Sequence, residues 1–235
     1  MSTETRTLTC VTSMAARRIL EDVGHAFAAR TGVDVRIEAM GGVDADVRVR
    51  AGYSCDLVAL ATGPIAALIR DGHAVQSVSA DYASSSLAVA VAAGMPHPDL
   101  RTEEAVRDAM VSARAIGYST GPSGDHIRRL WQRWGLEDAL SQRAVLAPPG
   151  TPVATLLARG RVEIGVQQES ELLGIAGIEI AGRLPEPIAL TTVFAIALTC
   201  ESQQRTAGDG FIAYLRSPDA AIAIQRHGMQ PVVGL

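Results

Sequence analysis

Strand-like and helix-like segments alternate along most of this chain, and that alternation constrains its fold more than any other feature. Arg6–Val11 is predicted to be a strand, Met14–Arg30 a helix with apolar residues at four-residue steps, and Val33–Met40 a second strand. Asp56–Ala61 is almost continuously apolar, as buried parallel strands are. The order of elements predicts an α/β fold whose parallel strands are joined by right-handed crossovers.

Two long apolar runs break this alternation and divide the chain. After the first, Ser86–Ala93, the succession of strands and helices restarts, and the second, Thr191–Thr199, lies near the C-terminus. This pattern predicts two Rossmann-like lobes with parallel-rich sheets, joined by two crossover strands. Lobe one would contain residues 1–83 plus 193–235, and lobe two residues 84–192. A single doubly wound sheet is the alternative.

Two turns rich in Ser, Thr and Gly lie where a predicted strand ends and a predicted helix begins. They are Thr12-Ser13-Met14 and the segment 119–124, STGPSG, and the Gly41-Gly42 turn is a third such connection. Turns of this kind present unpaired backbone N–H groups, hydroxyls and the positive end of a helix dipole, which suit an oxyanion. We therefore expect a cleft that binds a small anion from two sides. The alternative is that Ser13 and Ser119 or Thr120 are only helix N-caps.

The charged residues exclude several functions. The 235-residue chain has a formal net charge of -4, so it lacks the general basic surface of a nucleic-acid-binding protein. The chain has 21 arginines and no lysine. The lack of lysine excludes Schiff-base chemistry and a phosphate-loop lysine. Arginine does suit bidentate binding of carboxylates.

The sequence predicts neither a metal nor a cofactor. The three cysteines, Cys10, Cys55 and Cys200, are odd in number and widely spaced in strand-like runs, which predicts buried reduced thiols. The five histidines show no metal-binding spacing. The start, MSTETRTLTCV, lacks the basic and apolar regions of a secretory signal, and no apolar run is long enough for a membrane span. We therefore expect a cytoplasmic protein without a membrane segment.

Four motifs in the expected order resemble the type II periplasmic-binding-protein fold, in particular the molybdate-binding-protein family. In VTSMA, Ser13 takes the place of the family's ligand-binding serine, and Gly41-Gly42-Val43-Asp44 corresponds to a GGSG-type turn. Pro122-Ser123-Gly124 corresponds to the family's Pro-x-Gly turn, and Gln167 in GVQQESEL stands where a late strand usually ends in a ligand-contacting Tyr. The resemblance implies a ligand cleft between two lobes.

Departures from the family pattern change the expected ligand. Val43 replaces a hydroxyl residue, and the amide pair Gln167-Gln168 replaces the Tyr. Amides together with Ser and Thr suit a planar carboxylate or an elongated ligand better than a compact tetrahedral anion. The predicted partner is therefore a small organic anion, in particular a carboxylate, rather than molybdate.

The motifs TSM, GGVDA, YSTGPSG, PPG and QQESEL also resemble a branch of this superfamily that lacks secretion signals and includes enzymes of the aconitate isomerase type. That resemblance implies an allylic proton shift, which needs carboxylate-binding groups and one general base but no metal or cofactor. The two anion-binding turns would hold two carboxylates of one substrate and stabilise the enolate-like charge that develops.

Three residues are candidates for the base. His126 is predicted in the first turn of the helix after YSTGPSG, where a helix N-terminus keeps imidazole neutral. Asp44 opens the helix after Gly41-Gly42, although it is spaced to pair with Arg48, and Glu169 follows the glutamine pair. Each is equally explained as a surface or capping residue. The direction of Glu38 on its strand stays open.

The predicted substrate-binding set combines the three turns with the glutamine pair: Ser13, Met14, Gly41, Gly42, Val43, Ser119, Thr120, Gly121, Pro122, Ser123, Gly124, Gln167 and Gln168. The function that fits best is a cytoplasmic isomerase of an unsaturated di- or tricarboxylate. The alternative is a non-catalytic solute-binding protein for a small organic anion, and only that alternative implies an ABC permease as partner. A regulator's effector domain is the weakest interpretation, because no helix-turn-helix or basic arm precedes residue 6.

Overall fold

The computed structural model describes residues 7–148 and 150–232 and shows an α/β fold. Its strands, in chain order, are β1 (Thr7–Ser13), β2 (Asp34–Met40), β3 (Leu57–Ala61), β4 (Ala74–Ala92), β5 (Ile116–Tyr118), β6 (Ala144–Leu146), β7 (Ile164–Gln168), β8 (Ile178–Arg183), β9 (Thr191–Thr199) and β10 (Gln230–Pro231). Its α-helices are α1 (Arg17–Thr31), α2 (Gly42–Arg50), α3 (Thr62–Arg70), α4 (Glu103–Ser112), α5 (Pro122–Arg133), α6 (Glu137–Ser141), α7 (Val153–Ala158), α8 (Glu169–Leu172), α9 (Arg205–Leu215) and α10 (Pro218–Arg226). Short 3₁₀ helices occupy Met14–Ala16 and Glu186–Ile188.

The chain divides into two compact units. Unit 1 runs up to Ser84 and resumes at Val193, and unit 2 is Ser85–Thr192. The strands β4 and β9 each begin in one unit and end in the other, so the chain passes twice between the units within a strand.

Unit 1 is built on a mixed sheet in the order β2-β1-β3-β9. Strand β1 is parallel to β2 and β3, and β9 is antiparallel to β3. Successive side chains of β1 alternate between two cores, because Cys10 joins the cluster that includes α1, α9 and α10 whereas Val11 joins the cluster under α2 and α3. The register pairs Ser13 with Met40, so the turn after β1 and the turn after β2 leave the sheet at the same edge.

Unit 2 is built on a second mixed sheet, in which β5 lies between β6 and β7 and is parallel to both. Strand β4 is antiparallel to β7 and to β8. The register pairs Tyr118 with Val166, so Ser119 and Gln167 follow at the same edge of this sheet. The carboxyl ends of parallel strands are where ligands bind in open α/β sheets.

A pair of glycines lets α7 approach this sheet closely. Gly117 and Gly165 are register partners in β5 and β7. A Cβ atom on Gly165 would lie 2.7 Å from Val153 Cγ1 and 2.7 Å from Leu157 Cδ1, and one on Gly117 would lie 3.0 Å from Val153 Cγ1. The first residue of α7 therefore rests directly on two strands that have no side chains at this point.

Several predicted boundaries need correction. Strand β4 is 19 residues long and begins at Ala74, well before the predicted start at Ser86. Upstream of that predicted start, Ala83 and Ser84 pair with β10, which lies far away in the sequence. Helix α5 begins at Pro122, three residues before the predicted Asp125, since proline suits a first helical position. The elements α6, α8 and β8 were not predicted.

The cysteine prediction is wrong at one position. Cys10 and Cys55 are buried, and burial raises the pKa of the Cys55 thiol to about 11 and that of Cys10 further. Cys200 is exposed, because β9 ends at Thr199 and the chain turns away from the core there. No helix in the described ranges, 7–148 and 150–232, is long and apolar enough to cross a bilayer.

We predict that Gly165→Ala destabilises unit 2. The added methyl group overlaps Val153 and Leu157, and overpacking of this kind costs about 1–3 kcal/mol. Urea unfolding followed by fluorescence and circular dichroism measures the loss. Gly63→Ala is the matched control, because a Cβ at Gly63 meets no atom within 4 Å and the residue lies in α3. Equal stability of the two variants would contradict the close packing of α7 on β5 and β7.

Candidate functional site

The hydroxyl of Ser13 is the most informative polar group in unit 1. Ser13 ends β1 in an extended conformation and precedes the 3₁₀ helix that starts at Met14, but its side chain makes no capping hydrogen bond. Its Oγ atom is buried and has no hydrogen-bond partner in the described part of the chain. The residue before it, Thr12, is fully buried and donates to Ala59 O at 2.8 Å. Ser13 therefore does not act as an N-cap through its side chain.

The Gly41-Gly42 turn lies next to Ser13. A Cβ atom on Gly42 would be 3.6 Å from Ser13 Cβ, so the two turns are in contact at the sheet edge. Gly41 is the N-cap of α2 without a side-chain bond of its own, and the backbone N–H groups of the first turn point out of the helix start. Val43 follows with 54% of its surface exposed, so the position of the missing hydroxyl is on the surface of unit 1.

The corresponding turn of unit 2 is shaped by two glycines. Gly121 is the N-cap of α5 and has a φ of 80°, a left-handed conformation that favours glycine. A Cβ atom on Gly124 would lie 1.9 Å from the Ser119 carbonyl oxygen, so only glycine fits there. Ser119 Oγ and the buried Ser123 Oγ are 3.0 Å apart.

Neither Ser119 nor Thr120, the two hydroxyl residues before α5, is the N-cap of that helix. The N-cap position belongs to Gly121, which follows Thr120 and makes no side-chain capping bond. Thr120 is exposed, and Pro122 provides no N–H group at the first position. The turn therefore offers the amides of Ser123 and Gly124, together with nearby hydroxyls, at the positive end of a 12-residue helix.

The Gln167 side chain is fully engaged inside unit 2. It is 2% exposed, its Oε1 accepts from Val153 N at 2.8 Å, and its Nε2 donates to Glu171 Oε1 at 2.7 Å. Because a backbone N–H can only donate, the orientation of this amide is fixed. Gln167 therefore joins β7, α7 and α8, although the sequence predicted it as a direct ligand contact.

The neighbouring Gln168 has one unpaired end. It is 4% exposed, its Nε2 donates to Thr192 Oγ1 at 2.8 Å, and its Oε1 is buried without a partner among the described residues. The Thr192 hydroxyl can also donate, so the amide can turn over and leave its N–H group unpaired instead. In either orientation one polar end of Gln168 is buried without a hydrogen-bond partner among the described residues.

The candidate base His126 is held by the backbone. It lies in the second turn of α5, because the helix begins earlier than predicted, and its Nε2 is 2.9 Å from Ile188 O. A carbonyl oxygen only accepts, so Nε2 carries a proton and the neutral ring keeps its lone pair on Nδ1.

The two acidic candidates differ in their surroundings. Asp44 is exposed in the first turn of α2, and its carboxylate lies against Gly41, where a Cβ would be 2.8 Å from Oδ2. Its expected partner Arg48 instead lies over the Tyr53 ring, 4.8 Å from the centroid. Glu169 forms an ion pair with Arg183 at 2.6 Å, because the unpredicted strand β8 brings that arginine to α8.

The direction of Glu38, which the sequence left open, is set by two contacts. Its Oε2 accepts a hydrogen bond from the Tyr53 hydroxyl at 2.5 Å, and Oε1 lies 3.3 Å from Arg36. The hydrogen bond to Glu38 raises the pKa of Tyr53. Glu38 is thus tied to its own strand and to the chain after α2.

The sequence reasoning missed Glu171, which is two residues beyond the predicted Glu169. Burial raises the pKa of its carboxyl to about 8, and the hydrogen bond from Gln167 opposes part of that shift. Its position four residues after Gln167, directly before Leu172 and Leu173, is the one local sign of this environment. Within residues 7–148 and 150–232, no group of three His, Cys, Asp or Glu side chains is arranged to hold a metal.

Comparisons with known proteins agree on the fold. The model of the family described as bacterial extracellular solute-binding protein matches residues 8–230. The chain is 31% identical over 232 residues to an aconitate isomerase from a Pseudomonas species, covering 96% of this chain and 88% of that protein.

Two solved structures show the same architecture at low sequence identity. The periplasmic molybdate-binding protein of Azotobacter vinelandii has a TM-score of 0.80 and 21% identity over 97% of this chain and 100% of its own. The sulfate-binding protein SubI of Mycobacterium tuberculosis has a TM-score of 0.78 and 18% identity over 97% of this chain and 87% of its own.

We predict that Ser13→Ala leaves the free energy of unfolding unchanged or raises it. The substitution removes an unpaired buried hydroxyl, and burying such a group without a hydrogen bond is unfavourable. Thr12→Val is the adjacent control, because it removes the bond to Ala59 O and is expected to cost roughly 0.5–1.5 kcal/mol. Urea unfolding measures both. A loss of about 1 kcal/mol in Ser13→Ala is instead what removal of a helix cap produces.

Proposed function

The chain belongs to the family of bacterial extracellular solute-binding proteins, and we propose that within this family it is an isomerase of an unsaturated di- or tricarboxylate such as aconitate. Its relative named aconitate isomerase supports this reaction, since the similarity extends over 96% of the chain. The observation that carries the proposal is the unpaired, buried Ser13 hydroxyl beside the Gly41-Gly42 turn. A buried polar group that contributes nothing to folding is expected where a ligand supplies its partner.

The donors of both units suit carboxylates. In unit 1 they are the Ser13 hydroxyl and the backbone N–H groups that start α2. In unit 2 they are the Ser119–Gly124 turn and, when its amide is turned over so that the oxygen accepts from Thr192, the N–H group of Gln168. Hydrogen bonds from backbone N–H groups and hydroxyls to a charged acceptor are stronger than those between neutral groups. We propose that each set, taken within its own unit, is suited to bind a carboxylate.

The proposed reaction is a proton shift along an allylic system. A base takes a proton from the methylene carbon, the C–H electron pair joins the π-system, and the double bond moves by one carbon. The proton then returns to the former vinyl carbon, so the overall composition is unchanged. The intermediate spreads its charge onto a conjugated carboxylate, and donors aimed at that carboxylate stabilise it.

A second candidate function is binding without catalysis. Membership of a solute-binding family favours it, as does the fold shared with a molybdate-binding and a sulfate-binding protein. Under this alternative the ligand is still a small organic anion, and the partner would be an ABC permease. The two functions differ in one measurable property, because a binding protein needs no proton-transfer group. The cytoplasmic location predicted from the sequence stays a prediction.

We predict that di- and tricarboxylates stabilise the protein and that molybdate and sulfate do not, because Val43 cannot supply a hydroxyl and Gln167 is occupied internally. At 100 times the dissociation constant, binding adds about 2.7 kcal/mol to the free energy of unfolding. A thermal-shift screen of trans-aconitate, citrate, succinate, molybdate and sulfate measures the effect.

Two variants control this screen. Ser13→Ala and Thr120→Val should each lose roughly 1.5–3 kcal/mol of binding free energy by calorimetry, the contribution of one hydrogen bond to a charged group. Stabilisation by molybdate with none by carboxylates contradicts the proposed ligand class. Unchanged affinity in both variants places the ligand elsewhere.

We also predict turnover. Wild-type protein incubated with cis- or trans-aconitate in deuterated water should interconvert the two and incorporate deuterium at the carbon that is protonated, because the abstracted proton exchanges with solvent. Proton NMR follows both events. Tight binding with neither exchange nor interconversion would leave the chain as a binding protein.

A further inference from the structure

We propose that Glu171 is the catalytic group that carries the proton in the isomerase reaction, with Gln167 as its positioning residue. The inference rests on the proposed function, since it names the base which that reaction requires. It replaces the three candidates drawn from sequence alone.

Glu171 lies at the ligand edge of the sheet in unit 2. It belongs to α8, which follows directly from the carboxyl end of β7. Strand β7 pairs in parallel with β5, whose own carboxyl end leads into the Ser119–Gly124 turn. The carboxyl is thus tied to the same edge as the turn proposed to bind a carboxylate of the substrate.

A chain of contacts fixes the position of this carboxyl. The paired glycines Gly117 and Gly165 admit Val153, the N–H of Val153 sets the orientation of the Gln167 amide, and Gln167 Nε2 donates to Glu171 Oε1. Because Oε1 receives that hydrogen bond, the proton of the neutral acid belongs on Oε2. Oε2 is therefore the atom that exchanges a proton with the substrate.

Among the residues that the structure describes, no charged group is paired with Glu171. On its own helix Glu169 is paired with Arg183 of β8, and Glu179 of β8 is paired with His97. The segments Ile164–Gln168 of β7 and Val153–Ala158 of α7 contain no charged residue. Burial thus dominates, and the pKa of the carboxyl is raised to about 8, close to the value at which an acid–base catalyst works best near neutral pH.

Glu171 alone can carry out both proton transfers of the allylic shift. The Glu171 carboxylate takes the methylene proton on Oε2 and becomes a neutral acid, while the C–H electron pair delocalises over the allylic system and its conjugated carboxylate. The acid then gives its proton to the far carbon, which restores the carboxylate and completes the double-bond shift. No oxidant, reductant or other reactant is needed.

Glu171→Gln tests this assignment. Between pH 5 and 7 the wild-type carboxyl is mostly neutral, so glutamine has nearly the same shape and charge and the variant is expected to fold. It should bind trans-aconitate with an affinity within a few-fold of wild type but lose about 10²–10⁴-fold in deuterium incorporation. Glu104→Gln, an exposed glutamate on α4 of the same unit, should keep the wild-type rate.

The pH dependence gives an independent readout. In wild type, kcat/KM should rise with pH, with a midpoint at about pH 8, as the carboxylate forms, and this rise should be absent in Glu171→Gln. Glu171→Asp keeps the carboxyl but withdraws it by one methylene group, so it should retain the pH-dependent rise at a reduced rate.

The free energy of unfolding should fall as pH rises, whereas kcat/KM should increase. The protonated carboxyl favours the folded state, so its contribution is fully present below pH 4.5 and is lost as pH rises toward 8. The urea midpoint of wild type should therefore fall, relative to that of Glu171→Gln, across this range.

The experimental outcomes separate the two proposals. If wild type catalyses exchange and Glu171→Gln does so equally fast, the assignment of Glu171 is wrong while the isomerase function stands. The assignment is also wrong if His126→Ala, Asp44→Asn or Glu169→Gln abolishes turnover and Glu171→Gln does not. A wild type that binds aconitate with neither exchange nor interconversion overturns the isomerase function, and the role of Glu171 with it.

Discussion

The buried Gln167 carboxamide is the interaction on which the candidate site of unit 2 depends. It accepts from the first N–H group of α7 and donates to the carboxyl of Glu171, so one side chain satisfies groups on two other elements. Removing it would leave a backbone donor and a buried carboxyl unpaired at once, and unpaired buried groups are costly. The contact exists only because Gly117 and Gly165 let Val153 rest on the strands.

Two buried polar atoms without hydrogen-bond partners are the second feature that any account of the candidate site has to explain. Ser13 Oγ and Gln168 Oε1 are both buried without partners in the described ranges, and both lie where a strand passes into a helix. Folding alone does not favour such groups, because the hydrogen bonds to water that they lose are not replaced. A carboxylate could accept a hydrogen bond from the Ser13 hydroxyl and, if the Gln168 amide is turned over, from the Gln168 N–H group, which links each atom to the proposed function of a protein from a solute-binding family.

Much of the fold was predictable because its signals are local. The strand-turn-helix sequence around Ser13, the N-cap hydroxyl of Thr102 and the apolar run Thr191–Thr199 all lie where the pattern indicated. The part of β4 that pairs with β10, at Ala83 and Ser84, was not predictable, since β10 lies far along the chain. The environment of Glu169 was not predictable for a similar reason, because Arg183, which neutralises it, belongs to a strand with no clear local signal.

By itself the sequence determined the α/β architecture and the strand-to-helix turns rich in Ser, Thr and Gly, because periodicity, glycine and helix-start residues act within a few positions of themselves. Tertiary structure alone decided which acidic side chain is free to move a proton. Glu169 and Glu171 are two residues apart on one short helix, yet the first is paired with an arginine and the second with the Gln167 amide, and burial raises the pKa of the second. Charge and burial at a position depend on elements brought there from elsewhere in the chain, and no local pattern records them.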